Sequence, residues 1–320
     1  MDEFRFAIMG AGNIARHFCD AVSKMDDCVV CAVASKSMDR AAMLADECKI
    51  DKAYDSYEKM LDDEKPDCVY IAVTPNDHYR LTEMCIEKKV PVLCEKAMFQ
   101  NSVEAKAAFK AAADNHVFVM EALWSKYLPA VRKAKEWIAG GAIGAPQLCR
   151  CSIGFAAPKD DTNRYFCEAL GGGAARDITV YAYEIVTYLI DQKIVRINES
   201  ATKGRTGVDT NDHVMIDFEH TLADIMTSFV TNMDDEIVVY GDRGKLVLPN
   251  PHYASESLLY DEQGKTKEHF TDTATDNGFV YEIADVIKCV REGRIESTVS
   301  TWAATLACAE EFDRIMESMN

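Results

Sequence analysis

Two pairs of ionisable residues in the sequence could take part in proton chemistry. Glu95 and Lys96 end the apolar run Val92-Leu93-Cys94, which is typical of a buried strand. Burying a carboxylate and an amine at a strand end destabilises the fold unless the two groups are ion-paired or serve a function. Asp177 and Tyr181 stand four residues apart in a segment with helical periodicity, so they share one face of a helix. A structural ion pair and a packed tyrosine are the plainer explanations, and the residues alone leave both open.

A glycine-rich turn near the start of the chain predicts a dinucleotide site. Gly10-Ala11-Gly12-Asn13-Ile14-Ala15 follows an apolar strand and opens a helix, which is the context that the G-x-G-x-x-G/A pattern needs. Gly10 permits the tight turn, and Gly12 lets the backbone approach a pyrophosphate. Asn13 and Ile14 begin the helix, whose unpaired N–H groups favour phosphates. We expect these four residues to bind a nicotinamide dinucleotide.

The end of the second predicted strand indicates which dinucleotide binds. NAD-specific sites place Asp or Glu there to hydrogen-bond the ribose 2′-hydroxyl. Here the strand ends at Ser35 and Lys36, with Arg40 one turn further on. The hydroxyl and the two cations could instead bind a 2′-phosphate. We therefore expect NADP, and NAD stays possible because Asp39 lies close by.

A polar turn, Thr74-Pro75-Asn76-Asp77-His78, follows another predicted strand. Ligands of open α/β sheets bind beyond the carboxyl ends of the strands, so this turn should line the cofactor groove. Asn76 could also cap the helix that follows, and the two roles are compatible. The same reasoning places Glu95 and Lys96 in the groove. The expected cofactor residues of these two segments are Thr74, Pro75, Asn76, His78, Glu95 and Lys96.

The elements that must position these residues fall into two groups. Up to Glu121, short Val/Ile-rich strands alternate with amphipathic helices, which predicts a parallel sheet covered on both faces. After Trp124, apolar and polar residues alternate within the strands, which predicts a mostly antiparallel sheet with one covered face. We predict an α/β fold with a Rossmann domain at 1–121 and a substrate-binding and oligomerisation domain at 122–320. The predicted strands are 4–10, 29–35, 68–73, 90–94, 117–121, 147–155, 212–218, 224–232, 237–241 and 245–248.

Charge and hydropathy argue against two classes of binding partner, nucleic acids and membranes. The 320 residues include 53 acids against 35 basic residues, a formal net charge of −18, and nucleic acids or anionic membranes need clustered cations. No apolar run approaches the ~18 residues of a membrane span, and the first residues show no signal-peptide pattern. We expect a cytoplasmic protein with a small-molecule substrate, without nucleic-acid or membrane partners.

The 12 cysteines mostly lie in apolar segments, where free thiols behave as small hydrophobes, which favours a reducing compartment. Cys28 and Cys31 have C-x-x-C spacing, but their segment is typical of a buried strand. Residues three apart on a strand point to opposite faces, so these two thiols cannot share a metal. We expect no metal site.

Together these motifs resemble the glucose–fructose oxidoreductase/inositol dehydrogenase (Gfo/Idh/MocA) family over almost the whole chain. The matching segments are the G-A-G-x-I-A start, the T-P-N-x-x-H turn, Glu95-Lys96 and Gly171-Gly172-Gly173-x-x-x-Asp177-x-x-x-Tyr181. Residues 121–129 resemble the dihydrodiol dehydrogenase branch, and the Ser35-Lys36 strand end resembles its NADP-using members. Two positions depart from the family pattern: Ala97 stands in place of Pro, and Thr179 in place of Gly.

The resemblance implies roles that the residues alone do not. Lys96 and Tyr181 would be catalytic, and Asp177 would orient the substrate. The implied pocket wall consists of Trp124, Phe155, Arg164 and Phe279.

The implied reaction is NADP-dependent hydride transfer to or from a hydroxyl or carbonyl of a sugar, polyol or diol. Two alternatives remain: a non-catalytic nucleotide-sensing regulator, and a redox-assisted glycosidase whose cofactor stays bound. The presence of both Lys96 and Tyr181 counts against the regulator.

We further expect a homodimer, formed through the open face of the second sheet. That face should carry apolar residues such as Met215, Ile225 and Val238, and a large exposed apolar face is a partner surface.

Overall fold

The computed structural model describes residues 3–319, which form two compact units. Unit 1 reaches to Trp124 and takes in Asp276–Ala307, and unit 2 comprises Ser125–Thr275 and the chain from Cys308 onwards. The sequence placed the boundary after Glu121 and assigned the whole of Asp276–Ala307 to the second domain. The structure adds this segment to unit 1 because it hydrogen-bonds the last strand there, for example from the Trp302 indole to the Val119 carbonyl at 2.8 Å.

The helices and strands follow in chain order. The first part contains β1 (Phe4–Met9), α1 (Asn13–Val22), β2 (Cys28–Ala34), α2 (Met38–Cys48), β3 (Ala53–Tyr54), α3 (Tyr57–Glu64), β4 (Cys68–Ile71), α4 (His78–Glu87), β5 (Val92–Glu95), α5 (Ser102–Asn115) and β6 (Val119–Ala122). The middle contains α6 (Pro129–Ala139), β7 (Pro146–Gly154), a π-helical turn (Ala175–Thr179), α7 (Val180–Ile190), β8 (Ile194–Lys203), β9 (Asp209–Phe218), β10 (Leu222–Ser228), β11 (Glu236–Gly241), β12 (Gly244–Pro249), β13 (Glu256–Tyr260) and β14 (Thr266–Thr271). Two helices close the chain, α8 (Phe279–Arg291) and α9 (Trp302–Ser318).

Unit 1 contains a six-stranded sheet in the order β3-β2-β1-β4-β5-β6, with every pair parallel. Strands β4, β5 and β6 are buried along their whole length, which explains why they read as continuous apolar runs. The strand order reverses between β1 and β4, and ligands of such sheets bind at the carboxyl edge of this reversal. The predicted Rossmann architecture is confirmed.

Unit 2 contains an eight-stranded sheet in the order β14-β13-β12-β11-β7-β10-β9-β8. Only β7 and β10 pair in parallel, so the predicted mostly antiparallel sheet is confirmed. Helices α6 and α7 pack on one face. The sequence missed β8, β13 and β14, because β8 and β14 are largely exposed and polar and give no strong apolar alternation.

Of the three apolar residues expected to be exposed on the open face of this sheet, two are buried. Met215 lies on it as predicted and is 40% exposed. The assignment of Ile225 to this face is wrong: Ile225 is fully buried and pairs with Val214 on the covered face. A strand places successive side chains on opposite faces, so misjudging the register by one residue moves a side chain across the sheet. Val238 is buried as well, although its neighbour two residues on, Tyr240, is exposed.

The cysteines are all free, and Cys28 and Cys31 both lie in β2. Among residues 3–319, no group of three or more His, Cys, Asp or Glu is placed to hold a metal ion. None of the helices in that range combines the length and the apolar character needed to cross a membrane.

Candidate active site

The glycine turn after β1 has the shape that a dinucleotide phosphate needs. Gly10 has a φ of 114°, and a Cβ there would overlap the carbonyl oxygen of Ala72. Gly12 forms the N-cap of α1, and a Cβ built on it meets nothing within 4 Å. The backbone is therefore tightly held on the Gly10 side and open on the Gly12 side. The N–H groups that begin α1 at Asn13 and Ile14 fit an anionic group there.

The end of β2 brings the predicted phosphate ligands close to an acid. Ser35 is buried, and its hydroxyl accepts a hydrogen bond from the Ser37 amide at 3.4 Å. The Lys36 side chain is 67% exposed, and its Nζ lies 2.5 Å from Oδ2 of Asp77. Burial raises the pKa of Asp77, but Lys36 and then Arg80 outweigh it and hold that pKa below its usual value. The ion pair with Asp77, in the turn after β4, thus orients the Lys36 side chain. Arg40 is exposed in the first turn of α2.

The turn after β4 is organised by its own side chains. Thr74 donates from Oγ1 to Oδ1 of Asn76 at 2.6 Å. The suggestion that Asn76 caps the following helix is wrong, because Asp77 is the N-cap residue of α4 and makes no side-chain capping bond. Pro75 begins the short 3₁₀ turn that runs to Asp77.

His78 is fully buried between two backbone segments. Its Nδ1 lies 3.0 Å from the carbonyl oxygen of Ala97, and its Nε2 lies 3.1 Å from that of Val73. Burial lowers the pKa of His78 despite these carbonyls. His78 therefore ties the polar turn to the peptide that follows Lys96. Its contact with a cofactor stays a prediction.

Glu95 ends β5 within a buried polar cluster that the sequence did not reveal. The Tyr70 hydroxyl donates a hydrogen bond to Oε1 of Glu95. Glu282, on α8, is fully buried, and burial together with the charge of Glu95 raises its pKa well above its usual range. Lys96 follows half-buried, and the Lys96–Ala97 peptide bond is cis. The lysine thus projects from a segment that is held on both sides, by Tyr70 before it and by His78 after it.

The triple glycine of unit 2 leads into the π-helical turn and then α7. A Cβ on Gly172 would lie 2.8 Å from the carbonyl oxygens of both Arg164 and Tyr165, so the preceding loop packs directly on this glycine. The Arg164 guanidinium donates to Oδ1 of Asp177 at 3.0 Å and lies 4.2 Å from the centre of the Tyr165 ring. The structure therefore joins Arg164 and Asp177, which the sequence proposed separately.

Tyr181 lies at the start of α7 and is 8% exposed. Its ring centre lies 5.6 Å from that of His252, which belongs to the short turn Pro251–Tyr253. The carbonyl of His252 accepts a hydrogen bond from the Ser125 hydroxyl at 3.1 Å. His252 is the ionisable neighbour of Tyr181 that the sequence missed, because no local pattern links it to α7.

The four pocket-wall candidates belong to two groups, each built around aromatic rings. In unit 1, the rings of Trp124 and Phe279 lie 5.2 Å apart. In unit 2, Phe155 packs edge-on against Tyr165 at 5.4 Å, the ring on which Arg164 stacks.

Thr179, one of the two departures from the family pattern, has a buried side chain. Its hydroxyl lies 2.6 Å from Oδ2 of Asp212 and 2.6 Å from the hydroxyl of Thr227. The extra side chain at this position therefore acts within the core of unit 2.

Comparison with known proteins agrees with this architecture. Residues 4–123 match the family described as "Oxidoreductase family, NAD-binding Rossmann fold", and residues 131–247 match the "GFO/IDH/MocA C-terminal domain". Proteins named trans-1,2-dihydrobenzene-1,2-diol dehydrogenase are similar over nearly their whole length. The one from Danio rerio is 29% identical, covering 97% of this chain and 95% of its own, and the one from Homo sapiens is 26% identical, covering 98% and 96%.

Solved structures share the fold at lower identity. A levoglucosan dehydrogenase in complex with NADH and levoglucosan superposes with a TM-score of 0.89 at 20% identity, covering 99% of this chain and 97% of that chain. KijD10, a 3-ketoreductase from Actinomadura kijaniata in complex with NADP and TDP-benzene, gives a TM-score of 0.87 at 20% identity, covering 99% and 98%. Both halves of the chain thus match one family, with its cofactor domain first and its second domain after it. The chain belongs to the GFO/IDH/MocA family of oxidoreductases with an NAD-binding Rossmann fold.

Proposed function

We propose that this protein is an NADP-dependent oxidoreductase acting on a hydroxyl or carbonyl group of a sugar, polyol or diol. The observation that carries the proposal is the arrangement of two side chains in the helical segment of unit 2. The Arg164 guanidinium binds the carboxylate of Asp177, and Tyr181 follows Asp177 by one turn. The names of the relatives, diol dehydrogenases and sugar oxidoreductases, support the same substrate class.

The cofactor would be bound by residues of unit 1. The backbone at Gly10, Gly12, Asn13 and Ile14 would bind the pyrophosphate, because it is open on the Gly12 side and the N–H groups at the start of α1 favour an anion. Ser35, Lys36 and Arg40 would bind the 2′-phosphate. When bound, the dinucleotide supplies the hydride acceptor or donor. The remaining proposed cofactor residues are Thr74, Pro75, Asn76, His78, Glu95 and Lys96.

The side chains of the protein would move the proton and orient the substrate. Tyr181 would exchange the proton at the reacting oxygen, and Lys96 would donate a hydrogen bond to that oxygen as charge develops on it. Asp177 would bind a second substrate hydroxyl, with Arg164 fixing the direction of its carboxylate. The proposed pocket wall is formed by Trp124, Phe155, Arg164 and Phe279.

A substrate panel tests this function. The purified protein is mixed with sugars, polyols, diols and dicarbonyls, trans-1,2-dihydrobenzene-1,2-diol among them, and the absorbance of free NADPH is followed. A dehydrogenase or reductase changes the free NADPH concentration in proportion to product. Product without exchange of free cofactor would indicate the redox-assisted glycosidase. Nucleotide binding without any turnover would indicate the regulator.

We expect NADPH to bind more tightly than NADH, with Lys36 as a main cause. Changing Lys36 to Ala should weaken NADPH binding by about tenfold and leave NADH binding little changed, since only NADPH offers a phosphate to the ammonium. Changing Lys36 to Asp should narrow or reverse the preference, because a 2′-hydroxyl acceptor replaces a phosphate partner. Dissociation constants from fluorescence titration provide the measurement.

Lys59→Ala is the matched control for Lys36. Lys59 is also exposed in unit 1 and forms a comparable ion pair, with Asp63 at 2.5 Å. Its removal should leave both dissociation constants unchanged. Equal affinity of the unaltered protein for NADPH and NADH would contradict the proposed specificity.

We also propose a homodimer formed through the open face of the second sheet. Tyr240, Leu148 and Leu222 stand side by side on β11, β7 and β10, and all three are exposed. This apolar row crosses three adjacent strands, and such a row is typical of a protein–protein contact. Leu222, which is 54% exposed, should yield monomers when changed to Glu, because the charge would be buried at the contact.

Light scattering at micromolar concentration gives the molecular mass that tests this prediction. Val103→Glu is the control, because Val103 is an exposed apolar residue on α5, outside this row. The control should stay dimeric. A monomer mass for the unaltered protein would refute the proposed assembly.

A further inference from the structure

Two buried acids lie against the turn that leads into α7. Asp209 accepts a hydrogen bond at Oδ2 from the amide of Ala175, at 2.5 Å. Its Oδ1 lies so close to Gly173 that a Cβ on that glycine would overlap it. Asp209 therefore fixes the first residue of the π-helical turn Ala175–Thr179, and it accounts for the last glycine of the triple-glycine segment.

Asp212, which is 3% exposed, holds the other end of the same turn. Its Oδ2 accepts a hydrogen bond from the Thr179 hydroxyl at 2.6 Å. Thr227, which stands opposite Asp212 in the β9–β10 ladder, lies 2.6 Å from the same hydroxyl. The two carboxyls thus clamp the turn at its first and its last residue. π-Helical turns inside helices occur frequently at functional sites.

The remaining oxygens of the pair are where a shared proton would act. Oδ1 of Asp209 and Oδ1 of Asp212 are buried, and neither receives a hydrogen bond from another group in residues 3–319. Asp209 and Asp212 stand three residues apart on β9, and the shift in the β8–β9 register between Asn211 and Asp209 lets both carboxyls face the same turn, where they interact with each other. Two ionised carboxylates in that arrangement repel each other, whereas a single proton between them satisfies both oxygens.

The charges around the pair place this proton on Asp212. Burial, and then the charge of Asp209, raises the pKa of Asp212 well above its usual range. Burial raises the pKa of Asp209 as well, but the Ala175 amide and the Arg176 guanidinium oppose this rise and favour its ionised form. Asp212 faces Glu311, whose own pKa burial raises to about 7. A pair that shares one proton carries a single negative charge.

We propose that Asp209 and Asp212 share one proton and act as a positioning pair, which holds the π-helical turn so that Asp177 and Tyr181 keep their working geometry. This inference rests on the proposed function of Tyr181. Asp177 lies inside the clamped turn, and Tyr181 is the second residue after it. Neither acid of the pair takes part in the chemistry itself. A displacement of about 1 Å in a catalytic group can cost roughly a hundredfold in rate, so holding the turn matters for turnover.

A comparison of Asp212→Asn with Asp212→Ala distinguishes a role of the shared proton from a role in packing alone. Asn has the shape of a protonated Asp, can accept from Thr179 and can donate its N–H to Asp209. Ala removes both contacts. We expect Asp212→Ala to lower kcat by about tenfold or more, with little change in the affinity for NADPH. Asp212→Asn should restore kcat to within a few-fold of the unaltered protein.

Two measurements on the free protein need no substrate. Glu282 and Glu311 also have raised pKa values, so the infrared measurement is a difference spectrum at neutral pH. The unaltered protein minus Asp212→Asn should show a protonated-carboxyl band, and the unaltered protein minus Asp234→Asn, an exposed control acid in unit 2, should not. The second measurement is the Tm as a function of pH. Because the pKa of Asp212 is raised in the folded protein, stability is lost as the pH rises from the usual aspartate range through that raised pKa. The Tm of Asp212→Asn relative to the unaltered protein should therefore increase with pH.

Burial also raises the pKa of Glu311, to about 7, so the Tm series is repeated with Glu311→Gln in both proteins. Absence of the protonated-carboxyl band from the Asp212→Asn difference spectrum would overturn the shared proton. A loss of kcat in Asp212→Asn as large as that in Asp212→Ala would overturn it as well. If the band and the Tm behave as expected while Tyr181→Phe keeps its turnover, the carboxyl pair stands and the proposed role of Tyr181 fails.

Discussion

Changing Tyr181 to Phe is expected to lower turnover by about 100- to 10,000-fold on a confirmed substrate, with little change in cofactor affinity. The substitution keeps the ring, which packs beside His252, and removes only the hydroxyl. Hydride transfer at a carbinol carbon requires a proton to move at its oxygen, and general acid–base catalysis contributes a factor of this size. A free tyrosine has a pKa of about 10, so an ammonium close to the phenol would be needed to favour tyrosinate at neutral pH. The measurement is kcat, with the dissociation constant of NADPH in parallel.

Tyr183→Phe is the matched control for this prediction. Tyr183 lies on the same helix, is equally buried and loses the same single atom. It should retain most of its turnover. Near-normal kcat in Tyr181→Phe would mean that the proton comes from another group. His252, whose ring lies beside that of Tyr181, would be tested next, followed by His78 and a water bound to Lys96.

The sequence predicted those parts of the fold whose cause is local. The strands of unit 1 are apolar throughout because both of their faces are buried, and this pattern is readable without any neighbour. The turn at Gly10 is equally local, since its positive φ favours glycine. The helix Ser102–Asn115 was predicted with its observed ends, and the side chain of Asn101 caps it.

The remaining features depend on contacts between distant segments. Tyr70, Glu95 and Glu282 come from a strand, a second strand and a helix far along the chain, so no spacing in the sequence joins them. The same holds for Thr179 and Asp212. Ile225 was assigned to the wrong face of β10, where it pairs with the buried Val214. The two-residue period indicates an alternation, but it does not show which set of residues faces the helices.

Changing Lys96 to Ala is expected to reduce kcat by roughly 100- to 1,000-fold and also to raise the KM of the substrate. The proposed hydrogen bond from the ammonium strengthens as negative charge develops on the substrate oxygen, and removal of one such donor typically costs this factor. The same bond also contributes to binding in the ground state, so KM should change as well. Lys96 projects from a segment fixed by the Tyr70–Glu95 bond and the His78–Ala97 contact, so its position is well defined.

Lys110→Ala is the control, because Lys110 is an exposed lysine of unit 1 that pairs with Asp114, one turn along α5. It should leave kcat and KM unchanged. A Lys96→Ala enzyme with normal kcat and KM on a confirmed substrate would remove the lysine from the proposed mechanism. Lys96→Arg tests the geometry, since it retains the charge but replaces a compact ammonium with a planar fork.

The double variant Lys96→Ala/Tyr181→Phe shows whether the two side chains act on the same oxygen. If they do, removing the second costs less once the first is gone, and the double variant loses much less than the product of the two single factors. A loss equal to that product would mean independent roles. Lys96 would then contribute to the binding of cofactor or substrate. Tyr181 would transfer its proton with the help of groups other than Lys96, and His252 would be the first neighbour to examine.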